Sequence, residues 1–262
     1  MTGHEHAHEP GWAGAPLLVV LAAAGAVYLV AVIRLGRGGR PWPLARTALW
    51  LAGLATAAAG LLTGPAPFAA HMVGHVLLGM LGPMLLVLAA PVTLALRALP
   101  VRRARRLSRV LRSTPVAVLT SPVVAALLSV GGLWLLYRTD LHAAAAHDPL
   151  LGLVVPAHVL LAGYLFTAAL VGPDPQPHRA HLGVRAAVLV LAVAAHNVLA
   201  KALVAVPPTG VTDADALAGG QLMYYLGAPV EIALFVLLGR EWAAGDRRAR
   251  RRSPAPSSPL GR

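Results

Sequence analysis

The chain has 262 residues, 57% hydrophobic and 12% charged, with a mean hydropathy of +0.69, a balance that excludes an ordinary soluble domain and points to a polytopic membrane protein. The sequence contains no cysteine, which excludes disulfides and thiolate metal sites; a metal would have to sit on His, Met, carboxylate or backbone oxygen. The formal charge of +12 does not point to nucleic acid, because the arginines are confined to short loops and a tail between apolar runs.

Residues 1–14 form a polar, extracytoplasmic tail in which HEHAH alternates His4, His6 and His8; loose capture of a divalent ion and a solvated terminus without a role are both open there. Apolar runs long enough to cross about 30 Å of hydrocarbon follow at 15–33, 47–63, 69–96, 116–137, 150–171, 184–206 and 220–239. They predict an all-α fold, a polytopic membrane bundle of seven transmembrane helices over 15–242. The first run has no positive charge before it and Arg34, Arg37 and Arg40 after it, the reverse of a cleavable signal peptide, so it is expected to remain as a span. The third run contains Pro83 and Pro91, which predict kinks. Residues 243–262 form a basic cytoplasmic tail; from Asp246 on it is polar and proline-rich and is expected to stay disordered near anionic headgroups.

Alternate loops differ sharply in charge. Every arginine except Arg138 falls in the loops after the first, third and fifth runs, at the start of the second or sixth, or in the C-terminal tail, while Asp140, Asp148, Asp213 and Asp215 fall on the opposite side. The positive-inside rule therefore predicts an outside N-terminus and a cytoplasmic C-terminus. Arginine supplies all the positive charge but one, Lys201 being the only lysine, which with the Ala, Gly and Pro content points to a GC-rich bacterium and so to its plasma membrane.

With that topology, the 1.5 Å helical rise places His75 roughly 10 Å, His158 roughly 12 Å and His196 roughly 15 Å below the outer surface. Glu231 lies at a depth similar to His196. Ionisable groups at mid-depth cost on the order of 2.5–3.5 kcal/mol and by default face the bundle interior or a water-filled cavity. A single membrane histidine often just hydrogen-bonds a neighbouring helix; four in one layer, His71, His75, His158 and His196, point to a metal or other cofactor. His71 and His75 are four apart and share a helix face, a spacing that suits two ligands of one ion. Met72 adjoins the pair, and Met80 and Met84 lie deeper; thioether sulfur suits Cu(I), although packing is the commoner use of methionine in an apolar helix. Glu231 either pairs with Lys201 or orients a ligand histidine through its second N–H. His142 and His147 in the outer loop are weaker candidates, and His178 and His181 read as ordinary loop residues. The sequence carries no nucleotide-binding glycine pattern, no HExxH and no nucleophile elbow, so no enzyme is expected.

Taken together, AHMVGHVLLGMLGPMLLVLAAPVTLALRALP, SPVVAALLSVGGLWLLYRTDLHAAAAHDPLL, PAHVLLAGYLF, AAHNVLAKAL, GGQLMYYLG and REWAAGDRRARRR resemble the multi-spanning cytochrome c oxidase assembly factor family CtaG, which serves caa(3)-type oxidases. The resemblance covers about residues 41 to 252. It implies a non-enzymatic role in maturing the oxidase, with oxidase subunits and membrane lipid as partners and copper as the cargo handled on the outer side of the membrane. On that reading copper is captured by His4, His6 and His8, held by His71, His75, His158 and His196, with Met72, Glu231 and Lys201 as accessories, and passed on. The family's seventh span often carries acids where this chain has Gln221 and Ala228; Glu231 lies one turn further on. The rival readings are a haem-binding redox protein with histidines from different helices on the iron, a metal or proton transporter lined by Glu231, Lys201 and the histidines, and a structural scaffold.

Overall fold

The structure, a computed structural model, describes residues 14–64 and 67–252. His4, His6 and His8 lie outside the described residues, as does the tail beyond Arg252. The described residues form helices and turns: α1 (Ala15–Arg37), α2 (Leu44–Leu62), α3 (Phe68–Val76), α4 (Gly82–Leu88), α5 (Pro91–Ala98), α6 (Val101–Leu111), α7 (Thr114–Leu119), α8 (Pro122–Ala126), α9 (Gly132–Arg138), α10 (Leu141–His147), α11 (Pro149–Val171), α12 (Leu182–Ala205) and α13 (Asp213–Arg252). Two π-helical turns, Leu77–Leu81 and Leu127–Gly131, join α3 to α4 and α8 to α9.

Six helical stretches are long and apolar enough to cross a membrane: α1, α2, Phe68–Ala98, α11, α12 and Asp213–Gly245. The segment expected as a fourth span over 116–137 is interrupted. Ser121 is extended, as a residue before proline prefers to be, and separates α7 from the helical stretch Pro122–Arg138. That shorter stretch then bends by 80° into α10. At the other end of the chain, α13 runs to Arg252, so helix continues past Asp246, where an unpacked tail is expected from composition.

The central element is Phe68–Ala98, in which 56% of the most apolar window is buried, against 17% for the peripheral α1. It can be central because its neighbours come unusually close. On α2, a Cβ at Gly60 would lie 2.8 Å from the carbonyl of Gly74, and one at Gly53 would lie 2.9 Å from Leu86. On α11, a Cβ at Gly163 would overlap the carbonyl of Gly79. Small residues at these crossings let backbones approach, the usual means of packing helices where lipid removes the hydrophobic drive between them. The first π turn has a local cause as well. Pro83 offers no N–H to the carbonyl four residues back, that of Gly79, and one widened turn takes up the mismatch.

Two acids far away in sequence cap the halves of this element. Asp215 accepts from the amides of Phe68 (2.7 Å) and Ala69 (3.1 Å) at the head of α3, and Asp174 accepts from Val92 (3.0 Å) and Thr93 (2.7 Å) at the head of α5. The second cap is needed because Ala90, a buried non-glycine residue at φ +55°, breaks the helix before Pro91. On the same side the buried Arg185, the loop residue Arg179 and Glu241 form a charged cluster, with Arg185 also donating to the carbonyl of Leu170 at 2.7 Å.

Candidate metal-binding cavity

Three of the four histidines singled out by sequence line one cavity of about 50 Å³ inside the bundle: His75 from α3, His158 from α11 and His196 from α12. Glu231 from α13, Met80 from the first π turn, Ser129 from the second and Thr167 from α11 also line it. The volume is room enough for an ion with a little water.

Each ring is seated beside a glycine. A Cβ at Gly79 would come 3.4 Å from His75 Nδ1, one at Gly227 would come 3.1 Å from the His196 ring and 3.6 Å from Met80 sulfur, and one at Gly132 would come 2.6 Å from His158 Nε2. His75 and His196 face one another, with ring centroids 5.9 Å apart and planes tilted by 32°. Glu231 lies beside the second ring: its Oε1 is 2.8 Å from His196 Nδ1, a contact at too poor an angle to count as a hydrogen bond, while its Oε2 accepts from Asn197 at 3.3 Å. Of the two neighbours weighed for Glu231, it stands against the histidine and not against Lys201. Lys201 is exposed and stands 5.7 Å over the Tyr224 ring instead.

Hydrogen bonding separates the four histidines. The carbonyl of Leu128, in the second π turn, can only accept, so His158 donates through Nε2 at 2.9 Å and keeps only Nδ1 free. His71 is engaged at both nitrogens: Nδ1 lies 3.4 Å from the Gly64 carbonyl, and Nε2, as the acceptor in that tautomer, is 3.0 Å from the Tyr137 hydroxyl. It belongs to an outer aromatic cluster with Phe68, Tyr137 and His142, the His71 and His142 rings being 4.8 Å apart. His75 and His196 are different. Both ring nitrogens of His75, and Nε2 of His196, are buried with no hydrogen-bond partner. A buried polar atom left unmatched costs about 1–3 kcal/mol, and a neutral imidazole nitrogen with a free lone pair is a metal ligand in waiting.

Among the described residues no three His, Cys, Asp or Glu side chains come together as a ready metal site. The histidines and Glu231 therefore border the cavity without three of them converging on one point. Met72, the other methionine beside the histidine pair, is fully buried in a core of Phe68, Leu199, Leu203 and Met223 and serves packing. Local pattern identifies His75, His196 and Glu231. Met80 carries a soft donor for which the sequence favours packing, while Asn197 and the two π turns have no such signal beyond the glycine-proline pair just after Met80, which marks the first turn.

The chain is 32% identical over 250 residues to an uncharacterized protein of Mycobacterium leprae, covering 86% of this chain and 38% of that protein. It is 33% identical over 259 residues to uncharacterized proteins of Mycobacterium bovis and Mycobacterium tuberculosis, covering 87% of this chain and 39% of each. The chain thus spans about two fifths of the length of these curated relatives. No solved structure matches it. A family model described as cytochrome c oxidase caa3 assembly factor matches residues 26–245, and on that match the chain belongs to the Caa3_CtaG family.

Proposed function

We propose that this chain is a non-catalytic membrane factor for the maturation of caa3-type cytochrome c oxidase, and that it carries copper as cargo in the cavity between His75 and His196. The observation that carries the copper reading is the set of unpartnered, buried ring nitrogens facing one small cavity. Two imidazoles with a nearby thioether form a soft donor set suited to Cu(I). Charge favours the same state: Cu(I) beside the Glu231 carboxylate is neutral as a unit, whereas Cu(II) leaves a net positive charge among apolar walls. Second-sphere carboxylates of this kind fix ring orientation and raise ligand basicity. A set without thiolate holds the ion moderately and releases it, as delivery requires. His158, with Nδ1 free, stands on the cavity wall; His71 stands with His142 in the outer cluster.

Copper analysis of the detergent-purified chain tests the reading. Wild-type protein loaded with Cu(I) retains close to one ion per chain after desalting, and His75→Ala/His196→Ala retains none, with cells carrying that variant short of active oxidase. Equal copper in the two proteins refutes the site, and normal oxidase activity in the variant refutes its role.

A further inference from the structure

A second candidate site lies where the central element ends. After α5 and the Leu99–Pro100 link, α6 turns Ala104, Leu107, Ser108 and Leu111 towards the protein and leaves Arg102, Arg103, Arg105, Arg106 and Arg109 exposed. An open cavity of about 1000 Å³ forms between α5, α6 and the α1–α2 loop, and five arginines line it: Arg40, Arg97, Arg105, Arg109 and Arg112, with the Arg97 guanidinium 5.6 Å over the Trp42 ring. Arg40 is drawn in by donating to the carbonyl of Arg97 at 3.3 Å. No carboxylate lines the cavity, and among the described residues none of the five arginines has an ion-pair partner. Of the acids on this side, Asp174 is engaged by the α5 cap and Glu241 by Arg179 and Arg185.

Topology alone accounts for arginines on one side of a membrane but not for their convergence. Arg102, Arg103 and Arg106 satisfy the same rule on the same helix and stand outside the cavity. Five like charges around one concavity repel unless an external anion neutralises them, and guanidinium forks match phosphate bidentately. The depth selects the anion. The cavity sits at the ends of two apolar helices, α1 and Phe68–Ala98, which is headgroup level, and its walls include the apolar Leu96 and Val101. Basic pockets in that position suit polyanionic lipid headgroups.

The geometry points to this cavity as a binding site for the phosphates of an anionic lipid, with a two-phosphate headgroup as in cardiolipin the best match to five guanidinium groups. Native mass spectrometry of the full chain in non-ionic detergent, with added cardiolipin, phosphatidylglycerol, phosphatidylcholine or pyrophosphate, tests it. Cardiolipin binds most tightly, phosphatidylglycerol less so and phosphatidylcholine not at all. Arg105→Gln/Arg109→Gln/Arg112→Gln weakens cardiolipin binding by about tenfold or more, while Arg102→Gln/Arg103→Gln/Arg106→Gln, which removes the same charge from the same segment, changes it by less than about threefold. Equal losses in the two variants reduce the effect to general surface charge and overturn the site. Pyrophosphate binding as tightly as cardiolipin overturns the lipid as its ligand. If the triple variants accumulate poorly, Arg109→Gln beside Arg106→Gln carries the same comparison.

Discussion

Glu231→Gln isolates what the carboxylate contributes to the cavity, because the amide keeps the shape of the side chain and removes only its charge. In the structure Glu231 lies 2.8 Å from His196 Nδ1 and accepts from Asn197 at 3.3 Å, while His196 Nε2 is buried without a hydrogen-bond partner. Loss of the charge removes both the fixed orientation of the ring and the compensation of a bound cation. Removal of such an outer partner weakens metal binding about 10- to 100-fold, or about 1.4–2.7 kcal/mol. Glu231→Asp keeps the charge but draws it back by one methylene, so its loss is smaller. Asn197→Ala, which removes only the longer contact, is smaller again. Competition titration of Cu(I) against a chromophoric chelator reads all three, and a thermal melt of each variant confirms that the bundle is intact. A Glu231→Gln protein that binds Cu(I) within about twofold of wild type refutes the assignment of Glu231 as the orienting group.

Asp215→Ala removes the shared cap of Phe68 and Ala69 and lowers stability by about 1–2 kcal/mol, seen as a lower melting temperature, whereas Asp215→Asn retains an acceptor and loses less. Gly163→Ala drives a methyl group into the Gly79 carbonyl and costs about 1–3 kcal/mol on the same melt; Gly183→Ala, where an added Cβ meets nothing within 4 Å, leaves the melt unchanged and serves as the control. Tyr137→Phe frees His71 Nε2 but touches nothing in the inner cavity, so copper content stays at the wild-type level while His196→Ala loses it; copper loss in Tyr137→Phe would make the outer cluster part of the binding site.

The helical class and the polar layer are legible in the sequence because both rest on local pattern. Runs of apolar residues mark the helices, and depth along each run brings His75, His196 and Glu231 to one level. What local pattern does not carry is which way each ring turns. His71 and His75 share a helix face, yet one helical turn along the axis is enough to give them different neighbours: Tyr137, Gly64 and His142 for the first, His196 for the second. The caps are hidden for a related reason. Asp215 lies 147 residues from Phe68, and Asp174 lies 82 from Val92, so no rule confined to neighbouring positions connects them. Arg185 shows the limit of reading charge by side alone: it sits with the basic loops in sequence and is buried against Glu241 and the Leu170 carbonyl in the fold. The interrupted fourth segment follows from a single extended residue before Pro122, too local a break to disturb the hydropathy of the run around it.

The two π turns join these observations into one physical account of the cavity. In a regular helix each interior carbonyl already accepts from its own backbone, and a neighbouring side chain can use only its second lone pair, as Trp134 does at Ala195. Pro83 widens the turn at Leu77–Leu81 and loosens the backbone at Gly79, whose carbonyl then meets Gly163, where no side chain intervenes. The second turn, Leu127–Gly131, presents the Leu128 carbonyl to His158 and so uses up that ring's donor. Both turns end at the cavity wall, and beside each a glycine leaves the space that an imidazole occupies: Gly79 for His75 and Gly132 for His158. Features that look like packing devices in the sequence, a glycine-proline pair and a glycine doublet, therefore stand beside both a histidine engaged by backbone and one whose ring nitrogens have no hydrogen-bond partner.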